Sequence, residues 1–315
     1  MKVFVTGATG FIGSAVINSL LRLGVSVTVM VRKLSSSFPE EVAQIEGALS
    51  DALAREIKIG LHGVDVVIHT AARVHIMDED TNDPLAEFRK VNTAGTMTLA
   101  KQAADAGVKR FIFLSSIKVN GEYNRLGQPF REDDDFKPTD PYGLSKYEAE
   151  QGLLALAQET GMEVVIIRPP LVYGVGVKAN FLSMMKWIKR GVPLPLGAIY
   201  NARSLIALDN LTHFIVHCLK HPKAKNEIFL VSDGDDVSTT ELLYKVAKAF
   251  NKKVCLIPIP VWLMTFFAKF INKGDVASRL FSSLQVDNSK SRDLLRWKPV
   301  TSMDKQLKKI VESNV

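Results

Sequence analysis

The sequence is poor in cysteine, and the two cysteines that it has form no recognisable site. Cys218 and Cys255 lie in helical or apolar surroundings and lack the spacing of metal ligands. We interpret both as reduced core residues, because structural disulfides are rare in the cytoplasm. No apolar signal segment follows Met1, since a turn interrupts the first apolar run. We therefore expect a cytoplasmic protein rather than a disulfide-stapled secreted domain.

Long hydrophobic runs are missing as well. The longest apolar stretch of the C-terminal part, "VWLMTFFAKFI" at 261–271, contains Lys269 and is too short to span a bilayer. We therefore expect no stable insertion into a membrane. The stretch either lies on a membrane surface or covers a core or a substrate cleft, and we favour the second.

Basic residues outnumber acidic residues only slightly. The 40 basic and 33 acidic residues give a formal net charge of +7, which suits an anionic ligand. No dense stripe of Lys and Arg with interleaved aromatic residues is present, so we expect no nucleic-acid partner. The 315 residues are enough for one large domain or two of ordinary size.

Apolar strands alternate with helical segments in the first half of the chain. Helical spacing is strongest over 85–106 and 142–159. Such alternation predicts a parallel sheet with helices on both faces. The stretches that we predict as strands are 2–7, 25–32, 63–72, 109–116, 162–169 and 226–233.

A glycine-rich turn joins the first strand to the first helix. The segment "TGATGFIG" supplies Gly7, Gly10 and Gly13. The first glycine permits a tight turn, the second lets the backbone approach a pyrophosphate, and the third allows close packing of helix on strand. The amides at the helix N-terminus then face the phosphates. The turn predicts a dinucleotide site, although a tight turn without a ligand is the alternative.

These features together predict an α/β fold, with a Rossmann-type doubly wound parallel sheet and a smaller α+β C-terminal substrate domain. The strand pattern loosens after Pro170. We expect the NAD(P)-binding domain to cover 1–170 and about 203–232, and the substrate domain to cover 171–202 and 233–315.

The end of the second strand bears on the choice of cofactor. An acidic residue there would bind the adenosine ribose and repel a 2′-phosphate, but this strand ends in Val31-Arg32-Lys33. Arg32 can clamp a phosphate with its guanidinium. We therefore favour NADP over NAD as cofactor. The alternative is that Arg32 and Lys33 are solvated charges.

The segment "PYGLSKYEAE" places Tyr142 four residues before Lys146, a spacing that brings both to one face of a helix. A tyrosine and a lysine so placed can act as a catalytic acid/base and the cation that tunes it. The same spacing recurs at Tyr244 and Lys248, however. Spacing alone therefore does not distinguish a catalytic pair from an ordinary helix face.

The motifs taken together resemble the extended short-chain dehydrogenase/reductase family, in its nucleotide-sugar epimerase/dehydratase branch. The resemblance covers nearly the whole chain and implies Ser116, Tyr142 and Lys146 as the catalytic group. Ser116 ends a strand at the edge where doubly wound sheets bind ligands, which separates Tyr142 from Tyr244. The matching segments are "TGATGFIG", "VVIHTAA", "VNTAGTMTLAKQA", "FLSSIKVNG", "DPYGLSKYEAE", "RPPLVYG" and "LRWKP".

The chemistry of this group agrees with those roles. Removing hydride from a sugar carbinol requires removal of its hydroxyl proton. A tyrosine pKa of about 10 would have to fall by ~3, which is ~4 kcal/mol of differential stabilisation. We expect Lys146 and an oxidised nicotinamide to favour the phenolate of Tyr142. Lys146 would also hold the nicotinamide ribose, and Ser116 would hydrogen-bond the reacting oxygen.

The resemblance also implies which residues bind the two ligands. For the nucleotide sugar it implies Lys118, Asn180, Arg203 and Arg279, with a surface salt bridge as the alternative role of Arg203. For the cofactor it implies Gly7, Thr9, Gly10, Phe11, Ile12, Arg32, Leu49, Thr70, Ala71, Ala72, Asn92, Tyr142, Lys146 and Pro169.

Several departures from the family pattern reduce the number of reactions that the chain could catalyse. Sugar 4,6-dehydratases of the family carry an Asp-Glu pair after the catalytic serine or threonine, where this chain has Ile117-Lys118. We therefore exclude a dehydratase. This chain also departs from the family at three other positions. Asn120 replaces a residue that packs on the nicotinamide side or the nucleotide side. Ala48 replaces a residue that contacts adenine, and Leu171 replaces one that contacts the diphosphate.

The leading hypothesis is an NAD(P)-dependent nucleotide-sugar 4-epimerase that acts on a UDP-hexose or UDP-N-acetylhexosamine through a transient 4-keto intermediate. The alternative is an NADPH-dependent reductase of a nucleotide 4-keto-6-deoxy sugar, which Arg32 favours. A third hypothesis, which is a binding protein rather than an enzyme, is a non-catalytic sensor of NADP. We also expect a homodimer. No single residue identifies the sugar.

Overall fold

The structure is a computed structural model that describes residues 1–49, 55–74, 83–270 and 280–313, together with Gly274. The strands in this part of the chain are β1 Lys2–Thr6, β2 Ser26–Val31, β3 Ala43–Glu46, β4 Val66–His69, β5 Arg110–Leu114, β6 Glu163–Arg168, β7 Leu171–Tyr173, β8 Leu205–Ala207 and β9 Glu227–Leu230. The α-helices are α1 Phe11–Arg22, α2 Arg55–Leu61, α3 Pro84–Phe88, α4 Thr96–Asp105, α5 Pro141–Thr160, α6 Ala179–Arg190, α7 Leu208–Cys218, α8 Thr239–Ala249, α9 Val261–Phe270, α10 Ser289–Leu295 and α11 Met303–Glu312.

Seven strands form one sheet in the order β3-β2-β1-β4-β5-β6-β9, and every pair in it is parallel. This confirms the predicted doubly wound parallel sheet. Strand β3 was not predicted, because it is a short edge strand whose side chains are all at least partly exposed. The strand order reverses between β1 and β4, and such reversals open a crevice at the carboxyl ends of the strands.

Helices cover both faces of the sheet. On one face α1 and α7 bury residues such as Val16, Leu20 and Phe214 against the strands. On the other face α4 and α5 do the same with residues such as Leu99 and Leu153. The strands are therefore buried on both sides, which is why their sequences are apolar without alternation.

A third core lies outside the main sheet. Helices α6, α8 and α11 pack with the two-stranded β7-β8 sheet around residues that include Tyr173, Phe181, Leu243 and Leu307. The short strand β8 lies within the apolar stretch that follows Arg203. The exact division of the chain into two domains stays a prediction.

Two expectations from the sequence need correction. Cys218 is buried, but Cys255 is exposed. Residues 254–257 run in extended form, so side chains alternate, and Leu256 rather than Cys255 packs toward the core. The apolar stretch that we expected to cover a core or a substrate cleft forms helix α9, whose Trp262 and Phe266 are mostly exposed. Within the described residues, no helix is long and apolar enough to cross a membrane.

Candidate active site

The glycine turn lies at the reversal of the strand order, between β1 and α1. Gly7 has a positive φ of 72°, and a Cβ atom there would lie 2.7 Å from the Ala71 nitrogen in the loop after β4. A Cβ on Gly13 would clash with the Gly7 carbonyl oxygen. Glycine is therefore required at both positions, since any larger residue would push α1 off β1.

No side chain caps the amino end of α1 with a hydrogen bond. Gly10 occupies the N-cap position without a side-chain hydrogen bond, and the first turn contains no acidic residue. The first amides of a helix carry partial positive charge and need acceptors. The loop after β4 closes against this turn, where the Thr70 hydroxyl donates to the Thr6 carbonyl over 2.7 Å. This cradle fits the pyrophosphate of a dinucleotide.

The three predicted catalytic residues meet at the same edge of the sheet. Ser116 follows β5 and caps one turn of 3₁₀ helix, Ile117–Val119, by accepting from the Lys118 N–H over 3.3 Å. The Ser116 side chain lies near the Tyr142 hydroxyl and favours its ionised form. Lys146 lies one turn further along α5 and is buried. Its amino group donates to the Leu114 carbonyl over 2.9 Å.

Burial dominates the proton affinities of this group. It raises the pKa of Tyr142 to about 12, with help from the nearby Asp140 carboxylate, while the Ser116 hydrogen bond acts in the opposite direction. Burial also lowers the pKa of Lys146 to about 7, against the attraction of Glu150. The protein alone therefore favours the phenol form of Tyr142, which is opposite to the direction expected from the sequence.

The start of α5 positions Tyr142. Asp140 is the N-cap residue and accepts from the Gly143 N–H over 3.2 Å. Gly143 is needed because a Cβ atom there would clash with the Asp140 carboxylate and lie 2.8 Å from the Lys118 carbonyl oxygen. The Tyr142 ring packs edge-on against Phe88, with ring centroids 5.8 Å apart. Tyr142 is thus fixed from both its own helix and α3.

Asn92 connects α5 to the loop after β4. It lies in a π-helical segment, Arg89–Gly95, that joins α3 to α4. Its side-chain oxygen accepts from the Arg73 N–H over 2.8 Å, and its amide nitrogen donates to the Arg73 carbonyl and to the Ser145 hydroxyl. Such π-helical segments are frequent at functional sites. We predicted Asn92 as a cofactor contact, and its observed bonds hold the walls of the crevice together.

A buried charged network, which was not predicted from the sequence, lies behind the predicted catalytic group. Glu150 follows Lys146 by one turn, hydrogen-bonds the Ser115 hydroxyl, and pairs with Arg168 at 2.6 Å. Arg168 also donates to the side-chain oxygen of Asn120 over 3.0 Å. This contact accounts for Asn120, one of the departures from the family pattern. An arginine ending a buried strand was the signal that could have revealed the network.

His69 is a second buried polar residue at this edge. Its ring nitrogens hydrogen-bond the hydroxyls of Thr6 at 2.6 Å and Thr96 at 2.9 Å. Burial and the neighbouring Lys146 lower its pKa to about 3, so the ring is neutral at physiological pH. His69 therefore joins β1, β4 and α4 without carrying charge.

The other predicted cofactor residues differ in exposure. Arg32 is exposed directly after β2, whereas Leu49 is buried. The Pro169 carbonyl accepts from the Ile117 N–H over 3.0 Å, which ties the end of β6 to the segment after Ser116. The remaining ones line the glycine turn and the loop after β4: Thr9, Gly10, Phe11, Ile12, Thr70, Ala71 and Ala72.

The predicted substrate residues are scattered more widely. The Lys118 amino group lies between the carboxylates of Glu122, at 2.8 Å, and Asp140, at 3.2 Å. Asn180 is exposed near the start of α6. The Arg203 guanidinium donates to the Ser282 carbonyl over 3.1 Å, and burial lowers its pKa. Arg279 lies outside the described residues.

Comparison with known proteins shows similarity over the full length of the chain. A model described as the NAD dependent epimerase/dehydratase family matches residues 3–232. A UDP-glucose 4-epimerase of Vibrio cholerae is 46% identical over 318 residues, which cover 99% of this chain and 95% of that protein.

Solved structures show the same fold. The structure of a UDP-glucose 4-epimerase with UDP-glucose, from Thermotoga maritima, has a TM-score of 0.77 at 26% identity and covers 99% of this chain and 98% of its own. A short-chain dehydrogenase/reductase superfamily protein from Agrobacterium tumefaciens, with bound NAD, has a TM-score of 0.78 at 20% identity, over 99% and 97% of the two chains. The similarity in sequence and the similarity in fold therefore both extend over nearly the whole chain.

Proposed function

The chain belongs to the NAD dependent epimerase/dehydratase family, and from this we propose that it is a nucleotide-sugar 4-epimerase. The substrate is a UDP-hexose or a UDP-N-acetylhexosamine. The relative with 46% identity, a UDP-glucose 4-epimerase, supports the first of these. The observation that carries the proposal is that Ser116, Tyr142 and the buried Lys146, whose amino group donates to the Leu114 carbonyl, come together at the sheet edge that holds the glycine turn.

Tyr142 and Ser116 have different roles in the proposed epimerisation. A bound nicotinamide dinucleotide supplies the hydride acceptor and, when oxidised, a positive charge. Tyr142 takes the proton of the 4-hydroxyl group as hydride leaves carbon 4, and it returns the proton when hydride is returned to the other face of the 4-keto sugar. Ser116 hydrogen-bonds the reacting oxygen in both directions and keeps it within reach of Tyr142.

The pKa of Tyr142 determines how much free energy is needed to ionise its hydroxyl group. A pKa of about 12 means that ionisation near pH 7 needs about 7 kcal/mol of stabilisation. The protonated form of Lys146 contributes positive charge near Tyr142, and an oxidised nicotinamide bound beside it would add to that charge. Because burial lowers the pKa of Lys146 to about 7, its charge decreases as the pH rises through neutrality. Catalysis by Tyr142 therefore depends on a cation close to it.

The crevice fits a dinucleotide at the glycine turn, where Gly7, Gly10 and the first amides of α1 would hold the pyrophosphate. The family description names NAD. Arg32, which is exposed after β2, is the residue that would favour NADP. The same residue favours the second candidate function, a one-way NADPH-dependent reductase of a nucleotide 4-keto-6-deoxy sugar.

The decisive experiment measures the fate of the cofactor. The protein is purified, the dinucleotide released by denaturation is identified by mass spectrometry, and UDP-glucose and UDP-N-acetylglucosamine are each supplied as substrate. An epimerase forms the 4-epimer without net consumption of dinucleotide. Consumption of one NADPH for each 4-keto sugar reduced, with no epimer formed, would replace the epimerase with the reductase.

Two tyrosine variants test the assignment of the acid/base. Tyr142→Phe keeps the ring that packs on Phe88, so we expect turnover to fall at least ~100-fold with nucleotide binding nearly unchanged. Tyr244→Phe is the matched control, because Tyr244 has the same spacing to a lysine but is exposed on α8. Loss of activity in the control, and not in Tyr142→Phe, would show that the wrong pair was chosen.

A further inference from the structure

Two buried side chains of opposite charge lie one turn apart on α5. Lys146 and Glu150 are both buried, and residues four apart on a helix are neighbours. Helical side chains lean toward the amino end, so Glu150 leans toward Lys146. The Lys146 amino group donates to the Leu114 carbonyl over 2.9 Å, and the Glu150 carboxylate accepts from the Ser115 hydroxyl. The two side chains therefore tie the end of β5, immediately before Ser116, to α5.

The Glu150 carboxylate is surrounded by hydrogen-bond donors. The guanidinium of Arg168 donates to both carboxylate oxygens over 2.6–3.2 Å, and the Ser115 hydroxyl donates as well. An ionised carboxylate accepts hydrogen bonds and donates none, so these partners suit the charged form of Glu150. Arg168 is buried and is held in turn by the Asn120 side chain and the Glu132 carbonyl. The network therefore fixes a negative charge inside the protein.

The other groups that face Lys146 do not offer it a negative charge. His69 on the neighbouring β4 bonds two hydroxyls and is neutral at physiological pH. The Phe113 ring of β5 lies 4.4 Å from the Lys146 amino group. Tyr142, one turn earlier on α5, is held as the phenol. Burial lowers the pKa of Lys146 to about 7, and the attraction of Glu150 opposes that change.

We propose that Glu150 is a positioning residue that holds Lys146 at the end of β5 and in its charged form. The value of this charge for catalysis rests on the proposed function, in which it stabilises the phenolate of Tyr142. Asp140, a second carboxylate close to Tyr142, has the opposite effect because it favours the phenol. Glu150 acts on the tyrosine through the lysine and does not itself take part in the proton transfer.

A first test measures the charge of Lys146 without using activity. The unfolding free energy of each protein is compared with that of the same protein carrying Lys146→Met, by urea denaturation between about pH 5 and 10. The difference begins to rise with pH at the pKa of Lys146 in the folded state, because above that pH only the unfolded chain keeps the proton. In the wild type we expect this onset at about pH 7.

Two substitutions should move the onset in opposite directions. Glu150→Gln removes the attraction and leaves the buried positive charge of Arg168 unpaired, so we expect the onset to fall by about one pH unit. Arg168→Gln leaves the Glu150 carboxylate to interact with Lys146, so we expect the onset to rise by about one pH unit. A purely structural role would destabilise both variants and move neither onset.

A double variant covers the case in which Glu150→Gln does not fold. Glu150→Gln combined with Arg168→Gln removes both charges of the pair, so neither is left buried without its partner. The onset should again fall, by less than in Glu150→Gln. Glu163→Gln is the matched control, since Glu163 pairs with the buried Arg110 at 2.6 Å where β5 and β6 begin, at the opposite end of the same strands. This control breaks a similar pair and should leave the onset unchanged.

The pH profile of kcat tests the consequence for the reaction. UDP-glucose is supplied at saturation, and the alkaline decline of kcat is followed in each variant. Because the decline reports loss of the Lys146 charge, it should move to lower pH in Glu150→Gln and to higher pH in Arg168→Gln. KM should change little, since neither residue binds the substrate in the proposed site.

Several outcomes would overturn the proposal. One is an onset that stays at the wild-type value in both the double variant and Arg168→Gln, or that moves in the same direction in the two. Another is a Glu163→Gln control that moves the onset as far as Glu150→Gln does. In an active protein, an alkaline decline of kcat that does not follow the onset would exclude a role of Glu150 in catalysis. A wild type that epimerises no nucleotide sugar, with the onset moving as expected, would instead refute the proposed function and support the attraction between Glu150 and Lys146.

Discussion

Replacing the buried Lys146 by methionine is expected to change how the stability of the protein depends on pH. Methionine has a similar length and fills the same space without charge. The ordinary pKa of lysine is 10.5, and burial lowers that of Lys146 to about 7. Keeping the proton on this side chain in the folded state therefore costs about 5 kcal/mol relative to the unfolded chain.

The sign follows from the direction of the pKa change. Between pH 7 and 10.5 the unfolded chain keeps a proton on Lys146 that the folded chain has released. The folded state is thus favoured at high pH and loses stability as the pH falls toward 7. Over the range from pH 6 to 9, the wild type should gain about 2–3 kcal/mol of unfolding free energy relative to Lys146→Met.

The assay is urea denaturation of both proteins at several pH values, with the difference between their unfolding free energies plotted against pH. Taking the difference cancels the contributions of all shared groups whose pKa values do not depend on Lys146. Lys248→Met is the control, since Lys248 is exposed and pairs with Asp304 at 3.3 Å. A surface pair contributes about 0–1 kcal/mol. A Lys146 difference that does not change between pH 6 and 9 would refute the reasoning.

Three further variants test other parts of the site. Arg32→Asp should shift the ratio of the NADP and NAD dissociation constants toward NAD, because a carboxylate repels a 2′-phosphate; an unchanged ratio would mean that Arg32 serves only as a surface charge. Arg203→Ala should weaken UDP binding about 10- to 100-fold in a titration while leaving dinucleotide binding intact, and equal loss of both ligands would indicate a folding defect instead. Glu150→Gln leaves the buried charge of Arg168 unpaired and should cost about 3–5 kcal/mol of unfolding free energy. The control Glu148→Gln disrupts a partly exposed ion pair and should cost about 0–1 kcal/mol; similar losses in the two variants would contradict a special role for the buried pair.

The parallel sheet, the glycine turn and the helix that carries Tyr142 and Lys146 could be predicted from the sequence. Each depends on residues close together in the chain. Apolar runs of strand length, glycines three residues apart and a tyrosine four residues before a lysine are local patterns whose geometry follows from the backbone. The family motifs added the order in which these parts combine.

The environment of the catalytic group was decided by the tertiary structure. The side chains of Ser115, Glu150 and Arg168 meet, although Ser115 follows β5, Glu150 lies on α5 and Arg168 ends β6. The position of Arg168 at the end of a buried strand hinted at a buried charge, but the sequence did not identify Glu150 and Ser115 as its neighbours, because they lie on other elements. The direction of the Tyr142 pKa was likewise unexpected, since it depends on how far burial outweighs one hydrogen bond.

The same distinction holds at the surface. The apolar stretch at 261–271 predicted a helix, but only the packed chain shows which of its side chains the body covers and which remain in solvent. Exposure, like the pKa of a buried group, is set by every element packed against a residue, and most of those elements are distant in sequence.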